Sequence, residues 1–100
     1  MSSTQTLHGA IRFFGARAQE AQAIEECAEL IQAINKKWRG KEHNIAEEIA
    51  DVEIMLEQLK IINNCGIEVE KIKFSKLQRL HELVEEKKAE IRRNNNEEPA

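Results

Sequence analysis

Few residues in this chain break a helix, and the runs between the breakers repeat apolar residues at steps of three and four. Four glycines and one proline occur in 100 residues. An α-helix turns once every 3.6 residues, so such steps gather side chains on one face. Hydrophobic residues make up 41% of the chain and charged residues 33%, a balance suited to helices with an apolar stripe and a solvated face. The sequence predicts an all-α protein: a helical bundle of three main helices per chain, forming a single domain over residues 1–100.

The first predicted helix runs from about Ala10 to Trp38, after a loose polar segment over residues 1–8. Its apolar stripe reads Ile11, Phe14, Ala18, Ala21, Ile24, Ala28, Ile31 and Trp38, with Gly15 as an early interruption. Gly40 is a C-terminal cap in the connection that follows. Asn44 opens the second helix, and Asn44-x-x-Glu47 resembles a capping box, which gives Glu47 a structural task. The second helix ends in Asn63-Asn64-Cys65-Gly66, with Gly66 suited to the left-handed conformation. A third helix spans about Val69 to Arg92, carrying Val69, Ile72, Leu77, Leu80, Leu83 and Val84, and the tail 94–100 is expected to fray.

Three such helices do not enclose a core alone. The first would be about 40 Å long at a rise of about 1.5 Å per residue, longer than a compact domain of this size is wide. It also carries a second, weaker stripe of Ala23, Leu30 and Ala33. A helix apolar on two sides wants neighbours on both, so a homodimer or homotetramer is expected to complete a core of the four-helix-bundle type.

A net charge of −3 gives no electrostatic ground for binding nucleic acid. The N-terminus MSSTQTLHGAIRFFGAR lacks the apolar stretch of a signal peptide, and no run approaches the roughly 20 apolar residues of a membrane span. Cys27 and Cys65 have no metal-ligand spacing and read as reduced thiols. A cytoplasmic protein is expected.

Two acidic pairs, Glu26-x-x-Glu29 and Glu48-x-x-Asp51, sit at matching places on the first two helices. Residues three apart share a helix face, so each pair aims two carboxylates in one direction. On the second helix Met55, Val52, Leu59, Ile62 and Asp51 fall within about 60° of Glu48. That pair lies in the middle of an apolar face, while Glu53, Glu57 and Lys60 face solvent. A buried carboxylate needs a partner. A Lys or Arg would serve, and so would Mg²⁺, a hard cation that prefers oxygen ligands. Glu26 and Glu29 share a mixed face with Gln19, Gln22 and Ala33. Taken singly, such pairs are ordinary solvated surface; both together on consecutive antiparallel helices favour a metal site.

The segment GARAQEAQAIEECAELIQAINKKWRG followed by NIAEEIADVEIMLEQLK resembles the MazG-like family of all-α nucleoside triphosphate pyrophosphohydrolases. The shared pattern is ExxE, an interval, then ExxD; here 18 residues separate Glu29 from Glu48. The resemblance extends over about residues 15–90, and EECAEL, KKWRG and EEIADVEIML around the acids make it more specific than the acids alone. It implies Glu26, Glu29, Glu48 and Asp51 as ligands of Mg²⁺, with Mn²⁺ as a substitute, and an oligomeric helical bundle.

The activity implied is hydrolysis of an NTP or dNTP to the monophosphate and pyrophosphate. Ions held by the carboxylates would clamp the phosphate oxygens and lower the pKa of a bound water. Glu48 is the catalytic candidate for orienting or deprotonating that water, with Glu25 a weaker one. Lys76 and Arg79, in FSKLQRL, match a basic segment of the family and are expected to bind substrate. Gln19, seven residues before Glu26 on the same face, resembles a family glutamine near the substrate. Lys37, Arg39 and Lys73 read as solvated basic surface, and Trp38 as packing rather than a base-stacking ring. The chain holds one copy of the pattern and no obvious aromatic cage, which leaves dUTP, dCTP and damaged nucleotides open as substrates.

Three other readings are weighed. A ferritin-like di-iron oxidase needs Glu-x-x-His pairs, and no Glu lies three residues before His8, His43 or His81. A phosphoribosyl-ATP pyrophosphohydrolase shares the fold and the acidic motif. A non-catalytic helical adaptor would use its apolar stripes to dimerise and show no Mg²⁺-dependent behaviour.

Overall fold

The computed structural model describes residues 2–95. Four helices occur among them: α1 (Ser3–Phe14), α2 (Ala16–Trp38), α3 (Ile45–Ile62) and α4 (Gly66–Asn94). The all-α reading holds. The chain divides into two compact units, Met1–Cys65 with α1 to α3, and Gly66–Ala100 with α4. Part of the tail expected to fray, residues 96–100, lies outside the described residues.

The count of four helices instead of three has a local cause. Gly15 takes φ +98° and ψ 143°, a conformation that costs little only without a Cβ. It caps α1, donating its N–H to the Ile11 carbonyl, and the long first helix expected from Ala10 onward divides there. The segment 3–8, expected to be loose, belongs to α1. Ser2 explains this, since its Oγ accepts from the Gln5 N–H as an N-cap does.

The C-terminal ends of α2 and α3 close by the same motif. After α2, Lys41 N donates to the Lys36 carbonyl and Gly40 N to the Lys37 carbonyl, with Gly40 at φ +68°. After α3, Cys65 N donates to the Lys60 carbonyl and Asn64 N to the Ile61 carbonyl. These are Schellman closures, which need a left-handed residue just past the helix. Gly40 fills that position as expected. After α3 the position belongs to Asn64, at φ +49°, and not to Gly66, which starts α4. Asparagine tolerates this conformation better than most residues.

The core of the first unit lies between α2 and α3. Its buried residues are Ala23 and Ala33 from α2, with Glu48, Val52, Met55 and Gln58 from α3. Ala23 and Ala33 belong to the weaker of the two stripes read from the sequence. The stronger stripe faces outward: Ile24 is 73%, Ile31 60% and Trp38 80% exposed. Small residues at the buried positions let two backbones approach closely, and large ones remain on the free face. α4 buries none of its residues and exposes Ile72, Phe74, Leu77, Leu80, Leu83 and Val84.

Candidate metal centre

α2 and α3 bring Glu26, Glu29 and Glu48 together. One carboxylate oxygen from each lies within 4.8 Å of the others. Glu48 is only 6% exposed, as its place among Val52 and Met55 on the apolar face requires. Glu26 is half-buried and Glu29 exposed. Asp51, one turn beyond Glu48 and half-buried, does not belong to this trio.

The polar surroundings are asymmetric. Gln22 Nε2 donates to Glu26 Oε1 at 2.7 Å, and Asn44 Nδ2 donates to Glu48 Oε1 at 2.7 Å. The second oxygens, Glu26 Oε2 and Glu48 Oε2, are buried and lack a hydrogen-bond partner. No Lys or Arg pairs with Glu26, Glu29, Glu48 or Asp51 among the described residues; the pairs Lys60–Glu57, Lys73–Glu70, Arg79–Glu82, Lys87–Glu90 and Lys88–Glu85 are local steps along one helix. An internal salt bridge therefore does not account for these acids.

Crowding has an electrostatic consequence. The Glu26 carboxylate, followed by that of Glu48, repels charge on Glu29 and holds its carboxyl above the ordinary value. Loss of solvent, a hydrogen bond with Glu48 and the charge of Glu25 act in the same direction. A cluster of like charges with orphaned oxygens is relieved either by a proton or by a cation. The residues fit a divalent ion of the hard class.

Asn44 departs from the sequence expectation. Its side chain makes no capping bond to α3, and the capping box with Glu47 does not form. His43 Nδ1 accepts from the Ile45 N–H instead, at 3.4 Å, while Asn44 reaches Glu48. Neither Gln22 nor Asn44 stood out as a carboxylate partner in the sequence. The signal was present as a spacing of four residues before an acid in each case, which places an amide one turn below its carboxylate. Gln58, buried with Oε1 unpartnered, also escaped notice.

Of the other expected site residues, Gln19 is half-buried on α2, two turns before Glu26. Glu25 is exposed. Lys76 and Arg79 lie exposed on α4 in the second unit, and Arg79 pairs with Glu82 at 3.3 Å. Cys27 and Cys65 are free thiols. No helix among the described residues is long and apolar enough to cross a membrane. Compared with known proteins, the chain matches no family model, no curated protein and no solved structure.

Proposed function

We propose that this chain is a Mg²⁺-dependent nucleoside triphosphate pyrophosphohydrolase of the MazG-like type. The observation that carries the reading is the trio Glu26, Glu29 and Glu48, drawn from two helices, with two buried unpartnered oxygens. Glu26, Glu29 and Glu48 would hold the ion, and the resemblance adds Asp51 as a fourth ligand. When bound, Mg²⁺ neutralises charge on the phosphate oxygens and polarises the bond to be cleaved.

The chain's own residues supply the rest. Glu48, tied to Asn44 through Oε1, would face the ion with Oε2 and so orient the attacking water beside it, the proton of that water leaving to solvent. The water oxygen bonds to the α-phosphorus as the bond to the bridging oxygen breaks, giving a nucleoside monophosphate and pyrophosphate. Gln19 contacts the substrate from α2. The exposed stripe Ile24, Ile31 and Trp38 and the apolar residues of α4 are covered in a homodimer or homotetramer. A contiguous apolar stripe left exposed along a helix marks an association surface.

The test is a pyrophosphate-release screen, coupled to inorganic pyrophosphatase, over natural and modified nucleotides and phosphoribosyl-ATP. Mg²⁺-dependent release from a nucleoside triphosphate supports the reading. Release from phosphoribosyl-ATP alone moves the substrate class. Silence across the panel, with no Mg²⁺-induced rise in melting temperature, leaves a helical dimerisation module.

A further inference from the structure

Two ligand carboxylates in this site are built alike. Each has one oxygen bonded to a side-chain amide four residues earlier at 2.7 Å, Gln22 to Glu26 and Asn44 to Glu48. Each has its other oxygen buried with no partner. The device occurs once on α2 and once where α3 begins, on two elements that meet at the cluster. A side-chain NH₂ can only donate, so it fixes the acceptor oxygen and with it the rotation of the whole carboxylate.

Asn44 makes the point sharply. It stands at the N-cap of α3, where asparagine ordinarily accepts from a backbone N–H of the first turn. Here it makes no such bond, and its amide is turned to Glu48. Glu29 has no comparable amide donor among the described residues. The trio thus combines two clamped carboxylates with one exposed one.

We propose that Asn44 and Gln22 are positioning residues, which hold Glu48 and Glu26 in the rotamers that leave one oxygen of each for a divalent cation. This rests on the reading of the trio as a metal site and adds a second layer to it. Outer partners of metal ligands orient them before the ion arrives, and losing one weakens metal binding by about 10- to 100-fold.

Asn44→Ser and Gln22→Met test this. Serine remains a good N-cap residue but is too short to reach Glu48, and methionine keeps the length of glutamine without its donor. Mn²⁺ binding is measured by isothermal titration calorimetry, alongside melting of the metal-free proteins. Each variant is expected to bind Mn²⁺ about 10- to 100-fold more weakly. The metal-free melting temperature is expected to fall, since each variant leaves a carboxylate oxygen without its donor, and turnover should recover at saturating Mn²⁺. A wild type that binds Mn²⁺, with both variants within twofold of it, overturns the positioning role and leaves the metal site standing. Variants that melt lower without metal yet bind Mn²⁺ equally well when folded show a structural role and also overturn it. A wild type that binds no Mn²⁺ removes both readings.

Discussion

Replacing Glu48 by glutamine changes a charge and almost no volume, and the structure fixes the sign of the result. The Glu48 and Glu26 ligand oxygens lie no more than 4.8 Å apart, and Glu48 is 6% exposed. Two unit charges at that distance repel by about 3.5 kcal/mol at an effective dielectric constant of about 20, and by about 0.9 kcal/mol in bulk water. The site lies between these limits, because Glu26 is half-buried. A glutamine at position 48 can still accept from Asn44 Nδ2 through its carbonyl, and its NH₂ adds a donor where a repelling oxygen stood. Metal-free Glu48→Gln is therefore expected to be more stable than the wild type by about 1–3 kcal/mol. For a domain of this size, each kcal/mol moves the melting temperature by roughly 4–8 °C. The assay is thermal melting by circular dichroism, in excess chelator and again in Mg²⁺. The variant should melt higher in chelator, gain less from Mg²⁺ than the wild type, and release no pyrophosphate. A loss of more than about 1 kcal/mol in chelator would refute the reasoning, because removing one partner of a buried ion pair is strongly destabilising.

Three further outcomes are expected. The Glu29 carboxyl is raised above its ordinary value of 4.5 by Glu26 and then Glu48, so the folded chain holds a proton that the unfolded chain releases first. Metal-free stability should fall as pH rises from about 4.5 through the raised value, and urea midpoints from pH 4 to pH 7 that rise across that window would contradict it. Gly15→Ala meets no neighbouring atom within 4 Å, so its cost is conformational: about 1 kcal/mol or more, read from urea unfolding. Ile31→Glu on α2 and Leu80→Glu on α4 place charge on exposed apolar stripes; sedimentation velocity should show smaller assemblies than the wild type, and unchanged sedimentation would place the interface elsewhere.

The helical class was legible because breakers are few and periodicity strong. The burial of Glu48 was legible for the same reason: Val52 and Met55 share its face, and the structure buries all three. The acid pairs pointed to the site, since i, i+3 spacing constrains direction once a helix is granted. Helix boundaries were less so. A glycine inside a periodic run does not announce whether the helix tolerates it, and only the backbone at Gly15 decides this. The choice between the stripes of α2 was also hidden. Large residues read as core, yet Ala23 and Ala33 face α3 because close approach of two backbones favours small side chains. At Asn44 two local options compete, a bond to the first turn or a bond to Glu48, and spacing permits both. Tertiary crowding around the carboxylate decides the outcome.

The central claim is that Glu26, Glu29 and Glu48 are held together by a shared divalent cation. Titrating metal-free protein with Mn²⁺, with free ion followed by electron paramagnetic resonance, tests it most directly. The account predicts saturable binding in the wild type that Glu26→Gln and Glu48→Gln each abolish. Absence of saturable binding, or binding that survives both substitutions, would contradict it.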